Sequence, residues 1–239
     1  MDLENKRIVI LGGSSGIGLA TARLAGQAGA ELVIASSRKA SINRALEVLP
    51  AGTQGHAVDL GDEARVREVF EALGAFDHLV YTAGENLRLG ALEQTSIDEA
   101  RRFWTLRYWG ALTAVKYGSP NIRSGGSIVL TSGLAGRRPH PGWTVASSIC
   151  GAMEGLTRAL AVELAPIRVN IVCPGVVKTP LWDNMTEADR TALYRQMDDR
   201  LLVGHVGESE EVAEAYLYLM RQTYGSGETL TVDGGGALV

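Results

Sequence analysis

Short runs rich in β-branched residues alternate along the chain with longer stretches in which apolar residues recur at helical spacing. Such alternation is typical of parallel strands joined by right-handed helical crossovers. It predicts an α/β fold, a doubly wound parallel sheet of about seven strands in the order 3-2-1-4-5-6-7 with helices on both faces. The predicted strands are Arg7–Leu11, Glu31–Ala35, Gly55–Val58, His78–Tyr81, Ser127–Thr131, Arg168–Val172 and Glu228–Val232.

One stretch breaks this alternation and suggests a cover for a ligand. The segment 179–207 places Trp182 and Met185 among many charged residues, between the sixth strand and the last helix. Long connections at the carboxyl ends of strands often cover substrates, so 179–207 is predicted to be a substrate lid, with an ordinary surface helix as the alternative. No linker composition divides the chain, so residues 1–239 are expected to form a single domain. The predicted helices are Gly16–Ala28, Ser41–Val48, Glu63–Leu73, Ser96–Tyr117, Val145–Leu164 and Glu208–Arg221.

Composition narrows the classes of partner. The chain has 239 residues, of which 46% are hydrophobic, and its net charge of −4 leaves no positive surplus for a nucleic acid. Its apolar runs are far shorter than the roughly 18 to 20 residues of a membrane span, and its N-terminus lacks the order of a signal peptide. The two cysteines, Cys150 and Cys173, have no metal-ligand spacing. We therefore expect a soluble cytoplasmic protein with no nucleic-acid, membrane or metal partner.

A glycine cluster follows the first strand and opens the first helix, with the spacing Gly-x-x-x-Gly-x-Gly. Gly12 allows a tight turn, Gly16 lets the backbone approach a pyrophosphate at the helix N-terminus, and Gly18 lets helix and strand pack closely. This context predicts dinucleotide binding, with a plain loop as the alternative. The predicted contacts are Gly12, Ser14, Ser15, Gly16, Ile17 and Gly18.

The end of the second strand predicts which dinucleotide is bound. Ser36, Ser37 and Arg38 stand where an acidic residue would accept hydrogen bonds from both adenosine ribose hydroxyls. Hydroxyl donors and a positive charge favour a 2′-phosphate instead, so NADP(H) is predicted over NAD(H). The alternative is that Arg38 and Lys39 are a solvated pair.

Several motifs in order then resemble the short-chain dehydrogenase/reductase family, from Arg7 to Gly235. The motifs are Gly12-x-x-x-Gly16-Ile17-Gly18, Val58-Asp59-Leu60, Ala83-Gly84, Ser132, Arg168-Val169-Asn170, Pro174-Gly175 with Thr179, and Val232-Asp233-Gly234-Gly235. The resemblance implies a Rossmann-like fold in which Asp59 and Leu60 hold the adenine and Ala83 and Gly84 line the cofactor. By the same resemblance, the nicotinamide is held by Pro174, Gly175, Val177 and Thr179.

The chain departs from this family where catalysis is expected. The family has a Tyr thirteen residues after its Ser and a Lys four residues later, and counting from Ser132 gives Val145 and Ile149. Neither side chain can exchange a proton, and no Tyr or Lys occurs between Ser119 and Val177. Three possibilities remain open: another proton donor (His140, Tyr81, Tyr108 or a water), an iminium substrate that needs no proton, or loss of catalysis.

The remaining candidates lie around the expected cleft. Counting back from Gly110 places Arg107 where the family has an Asn that points at the active site, with an outward-facing arginine as the alternative. Ser132, Arg107 and His140 are predicted to act in catalysis, and Trp143 and Trp182 to bind substrate.

The predicted function is an NADP(H)-dependent oxidoreductase with an atypical active site that reduces a small carbonyl or imine. The alternative is a catalytically silent NADPH-binding sensor or scaffold. By resemblance to the family, the fourth helix and the helix Val145–Leu164 would pair with their copies, so a homodimer or homotetramer is expected.

Overall fold

The computed structural model describes residues 2–86 and 89–239. Within those residues one sheet of seven parallel strands has the order β3-β2-β1-β4-β5-β6-β7, which confirms the predicted topology. The strands are β1 Arg7–Leu11, β2 Glu31–Ser36, β3 Gln54–Ala57, β4 Phe76–Tyr81, β5 Ile122–Thr131, β6 Arg168–Pro174 and β7 Thr229–Val232.

Helices cover both faces of the sheet because the central strands are apolar on both sides. All residues of β4 and β6 are buried, as expected for interior strands of a parallel sheet. Two apolar cores result, one between the sheet and α3, α5 and α6, and the other between the sheet and α1, α2 and α8. The helices are α1 Gly16–Gln27, α2 Lys39–Leu46, α3 Glu63–Leu73, α4 Ile97–Trp104, α5 Ala111–Gly118, α6 Thr144–Glu163, α7 Glu187–Arg200 and α8 Ser209–Arg221.

The single helix predicted for Ser96–Tyr117 contains an irregularity that the sequence pattern does not predict. One wider, π-helical turn, Thr105–Gly110, joins α4 to α5. The Tyr81 hydroxyl, at the end of β4, donates a hydrogen bond of 2.6 Å to the Leu106 carbonyl in this turn. Turns of this kind are frequent at functional sites, because they redirect side chains that a regular helix would point elsewhere.

The predicted lid segment is ordered and lies beside the carboxyl ends of the strands. A short turn, Pro180–Trp182, begins it, and the Thr179 hydroxyl accepts a hydrogen bond from Leu181 N at the start of that turn. Helix α7 follows and has no fully buried residue. It therefore belongs to neither core.

Candidate functional site

The glycine-rich turn between β1 and α1 has the close packing that its spacing predicts. Gly12 has a φ of +93°, and a Cβ built there would lie 2.6 Å from Ala83 N, in the loop after β4. A Cβ at Gly18 would lie 2.3 Å from the Gly12 carbonyl oxygen. Side chains at either position would push the two loops apart, so these glycines set the floor of the cleft above the sheet.

The beginning of α1 is open to an anion. Ser15 is the N-cap residue, but its side chain makes no capping hydrogen bond, and the first turn of α1 contains no acidic residue. The first backbone N–H groups of a helix lack partners within the helix and carry a partial positive charge. This end of α1 therefore fits the pyrophosphate of a dinucleotide.

A cleft of about 630 Å³, the cofactor cleft, runs from this turn along the carboxyl ends of the strands. It brings together most of the predicted cofactor contacts: Gly12, Ser14, Ser15, Gly16, Ile17, Gly18, Ser36, Ser37, Arg38, Asp59, Leu60, Ala83, Gly84, Pro174 and Thr179. The chemistry of these groups fits NADP(H), since an uncapped helix start, two serine hydroxyls and an arginine at the end of β2 are suited to bind phosphate groups.

Two of the predicted nicotinamide contacts lie elsewhere. Gly175 lines the neighbouring apolar cavity instead of the cofactor cleft. Val177 is buried, and its carbonyl accepts a hydrogen bond of 2.9 Å from Trp182 Nε1. The chain turns inward after β6 to make this contact, so Val177 supports the lid segment and does not line the cleft.

A second cavity of about 410 Å³, the apolar cavity, opens beside the cofactor cleft under the lid segment. It contains all three predicted residues from this region: His140, Trp143 and Trp182. The His140 and Trp143 rings meet edge to face with centroids 4.8 Å apart. Large apolar side chains from the loop after β4, from the loop after β5 and from the lid segment complete the wall: Leu89, Leu134, Leu181, Met185, Leu193, Met197 and Leu201.

Arg107 and Ser132 lie where the two spaces meet. Both line the cofactor cleft and the apolar cavity, and both also line a small cavity of about 50 Å³ between them. The inward position of Arg107 follows from the π-helical turn, and the outward alternative is wrong: the Arg107 side chain is only 22% exposed. Ser132 Oγ donates a hydrogen bond of 3.1 Å to the Cys150 carbonyl oxygen.

Three contacts hold the Arg107 guanidinium in place. Its Cζ lies 4.7 Å from the centre of the Phe103 ring. Its Nη2 donates a hydrogen bond to the Glu85 carbonyl oxygen. A Cβ at Gly84 would lie 2.8 Å from Arg107 Cζ, so a larger residue at this position would require the guanidinium to shift. Burial lowers the pKa of Arg107 from its usual value, which the nearby Glu85 carboxylate opposes.

Helix α6 presents Ala146 and Cys150 to the site. These residues are four apart on one helix face, and both line the small cavity and the apolar cavity. Of the two positions counted from Ser132, Val145 packs against the main core, and Ile149 lines the small cavity from within that core. Burial raises the pKa of the Cys150 thiol, so this side chain stays neutral.

The proton donors considered from the sequence differ in their suitability. Tyr81 lines the small cavity, but its hydroxyl already donates to the Leu106 carbonyl, and burial raises its pKa far above the usual range. Tyr108 packs against the core and against the Trp104 ring. Only His140, on the wall of the apolar cavity, faces a space where substrate could bind.

Comparison with known proteins identifies the family. A family model described as enoyl-(acyl carrier protein) reductase matches residues 12–236. A short-chain dehydrogenase/reductase, fsr5 of Gibberella fujikuroi, is 34% identical over 98% of this chain and 95% of that protein. The chain belongs to the short-chain dehydrogenase/reductase family.

Two solved structures of the short-chain dehydrogenase/reductase fold superimpose along nearly the whole chain. A small-chain dehydrogenase in complex with NADPH has 35% identity and a TM-score of 0.84, over 99% of this chain and 100% of that chain. The MalC reductase/Diels-Alderase from Malbranchea aurantiaca has 31% identity and a TM-score of 0.89, over 98% and 96% of the two chains. The family assignment therefore agrees with the observed fold.

The structure also adds residues that the sequence analysis missed. Glu85 and Asn86 line the cofactor cleft directly after Ala83 and Gly84, and Arg102 lines it from α4. Glu85 and Asn86 are polar and follow the Ala83-Gly84 motif directly, and this position in the sequence could have indicated that they line the cofactor cleft.

Two predicted absences can be compared with the described part of the chain. Across residues 2–86 and 89–239, no group of three or more His, Cys, Asp or Glu side chains is placed to bind a metal ion. None of the helices in those ranges combines the length and apolar character needed to span a membrane.

Proposed function

We propose that this protein is an NADP(H)-dependent reductase of a carbonyl or imine substrate with an atypical active site. The observation that carries this proposal is the position of Arg107 and Ser132, at the junction of the cofactor cleft and the apolar cavity. A hydride acceptor bound in the apolar cavity would meet the cofactor at this junction. Bound NADPH would supply the hydride.

The preference for NADP(H) rests on the end of β2. Ser36, Ser37 and Arg38 line the cofactor cleft, where a 2′-phosphate would meet two hydroxyls and a guanidinium. The relative solved in complex with NADPH supports the same choice, at 35% identity.

The atypical character rests on α6. Ala146 and Cys150 have the four-residue spacing of the family's Tyr and Lys and line the small cavity and the apolar cavity. Taking Ala146 as the tyrosine position and counting back thirteen residues gives Gly133 as the family's serine position, with Ser132 beside it. The usual proton donor and the lysine that lowers its pKa are therefore both replaced by small side chains.

The chain's own residues could still assist hydride transfer. With a ketone, hydride addition leaves an alkoxide, which the Arg107 guanidinium would stabilise until His140 or a water supplies the proton that completes the alcohol. The Ser132 hydroxyl could donate a hydrogen bond to the same oxygen after leaving the Cys150 carbonyl. With an imine, orientation of the acceptor beside the cofactor supplies most of the assistance. Ala146 leaves space for a substrate ring at this wall.

Turnover of two substrate classes tests the proposal. Purified protein is mixed with NADPH and panels of apolar ketones and cyclic imines, and consumption of NADPH is followed by its absorbance. We expect turnover with at least one class. For a ketone substrate, Arg107→Met is expected to lower kcat/KM by roughly 10²- to 10³-fold, with a smaller loss for Ser132→Ala.

The matched control is Arg101→Met, which removes an arginine that is 77% exposed on α4 and is expected to leave turnover unchanged. NADPH binding without consumption of any substrate in either panel would overturn the reductase proposal and favour the silent sensor or scaffold. The soluble cytoplasmic location, the lid role of residues 179–207, and the homodimer or homotetramer remain predictions.

A further inference from the structure

The junction of the cofactor cleft and the apolar cavity contains a positive charge that an incoming substrate must face. Arg107 lines both spaces, and its guanidinium contacts the Phe103 ring and the Glu85 carbonyl oxygen. An uncompensated guanidinium in a poorly solvated site would repel a cationic ligand strongly. It would therefore exclude iminium ions from the proposed reaction.

A carboxylate lies beside this charge. Glu85 Oε2 is 3.8 Å from Arg107 Nε, which is within ion-pair range but too long for a hydrogen bond. Both atoms are buried and have no hydrogen-bond partner among the described residues. The Glu85 side chain as a whole is 40% exposed, so water screens part of this pair, and the carboxylate offsets part of the guanidinium's field. Burial raises the pKa of Glu85, while Arg107 acts to lower it.

The other charged groups around the apolar cavity are engaged with the C-terminal segment. Arg138 donates a hydrogen bond to the Gly236 carbonyl, and Arg200 donates one to Val239 O. The Asp233 carboxylate accepts from two backbone N–H groups of the same segment. Glu85, which lines the cofactor cleft, is the acidic residue within ion-pair range of Arg107.

Few proton donors face the junction. The Tyr81 hydroxyl is committed to the Leu106 carbonyl, and α6 contributes Ala146, Ile149, Cys150 and Met153. His140, on the wall of the apolar cavity, is the remaining donor among the side chains considered. Hydride addition to an iminium carbon breaks the C=N π bond, and its electron pair moves to the nitrogen. The products are a neutral amine and the oxidised cofactor, so this reaction needs no proton.

We propose that Glu85 is a specificity-determining residue whose carboxylate offsets Arg107 and lets the site accept cationic iminium substrates. This inference rests on the proposed reductase function and narrows its substrate class. A Glu85→Gln variant keeps the size of the side chain but leaves Arg107 uncompensated. It should therefore weaken the binding of a cation while leaving the binding of a neutral molecule of the same shape unchanged.

The test measures binding to the NADPH-loaded protein by isothermal titration calorimetry. The cationic probe is N,N-dimethyltetrahydroisoquinolinium, which cannot accept a hydride, and the neutral probe is its carbon isostere, 2,2-dimethyltetralin. In Glu85→Gln we expect the cation to bind roughly tenfold more weakly, from one uncompensated charge nearby, with the neutral probe unchanged. The double variant Glu85→Gln with Arg107→Met removes both charges and should restore most of the cation's affinity.

The control variant is Glu68→Gln, which breaks an exposed Glu–Arg pair on α3 and is expected to change neither affinity. The inference is overturned if the parent protein does not bind the cation, if Glu85→Gln weakens both probes equally, or if the double variant shows no recovery. A separate arm supplies N-methyl-3,4-dihydroisoquinolinium and NADPH. If the binding results are as expected but no NADPH is consumed, the reductase proposal fails while the charge assignment stands.

Discussion

At the scale of single residues, the site depends on a small residue, Gly84, that makes room for the large guanidinium of Arg107. Gly84 lets the Arg107 guanidinium lie against the loop after β4, since a Cβ there would come within 2.8 Å of it. Glu85, the next residue, holds the same guanidinium through its carbonyl. Two adjacent residues of a loop thus fix the position of an arginine that comes from another element.

Arg38 gives the first prediction at this scale. Replacing Arg38 with Asp puts a negative charge where the 2′-phosphate is expected, so NADPH should bind at least roughly tenfold more weakly while NADH binding changes little. Titration of both cofactors by calorimetry measures the ratio of affinities. Lys39→Asp makes the same charge change one residue away, outside the cofactor cleft, and should have a much smaller effect. An unchanged ratio in Arg38→Asp would remove the assignment.

At the scale of elements, the π-helical turn couples the helix α4–α5 to the end of β4. The Tyr81 hydroxyl satisfies the Leu106 carbonyl within the turn. Gly110 closes the turn, and a Cβ there would lie 2.5 Å from the Tyr81 hydroxyl oxygen and 2.9 Å from the Leu60 carbonyl oxygen. The turn that points Arg107 inward therefore requires a glycine at its end.

Substitution of that glycine tests this coupling. Gly110→Ala forces Tyr81 or the turn to move, and we expect it to lower the free energy of unfolding by about 1–3 kcal/mol and to weaken the binding of NADPH at the same time. Urea denaturation and calorimetry measure the two effects. Gly155→Ala, in α6 with open space around the new Cβ, should instead be neutral or stabilising by up to about 1 kcal/mol. Equal effects of the two substitutions would contradict the proposed role of Gly110.

Helix α6 illustrates what a sequence pattern leaves undecided at this scale. The sequence predicts its existence and nearly its ends, but which face meets the cleft depends on the loop that precedes it. Counting from Ser132 selects Val145, whereas the structure presents Ala146, one residue and thus about 100° around the helix. An irregular loop has no period from which this rotation could be predicted.

At the scale of the whole molecule, the parts of the fold that obey local rules were predictable. The strand order and the glycine-rich turn follow from alternation and spacing, and the structure confirms the strand order. The apolar cavity combines residues from the loop after β5, the lid segment and the C-terminal segment. The charge pair of Glu85 and Arg107 joins residues 22 positions apart. Contacts of this kind depend on tertiary packing, which no short pattern encodes.

The two ends of the strands have different roles. The cofactor cleft lies at the carboxyl ends, and a buried carboxylate that stabilises the fold lies at the amino ends. At the amino ends of the strands, opposite the cofactor cleft, the Asp77 side chain is 7% exposed. It accepts hydrogen bonds from Arg7 N at 3.0 Å, Lys6 Nζ at 3.2 Å and Arg123 Nη1 at 2.7 Å. This carboxylate connects β1, β4 and β5, and Asp77 lines neither the cofactor cleft nor the apolar cavity.

The dependence of stability on pH should report this carboxylate. Burial disfavours the ionised form of Asp77, but the donors from Arg7, Lys6 and Arg123 outweigh it and hold its pKa below the usual value. A depressed pKa in the folded state means that the stabilisation is fully present above the unfolded pKa of about 4 and is lost as the pH falls further. Asp77→Asn should therefore cost about 1–3 kcal/mol near neutral pH and much less in strong acid.

Urea denaturation at neutral pH and near pH 3, on the parent and on Asp77→Asn, measures this difference. The comparison isolates Asp77 because the other carboxylates titrate alike in both proteins. Asp98→Asn, which removes an 80% exposed carboxylate on α4, should show little difference from the parent at either pH. A cost of Asp77→Asn that stays the same at both pH values would mean that the ionised carboxylate does not stabilise the sheet, and that packing alone explains its burial.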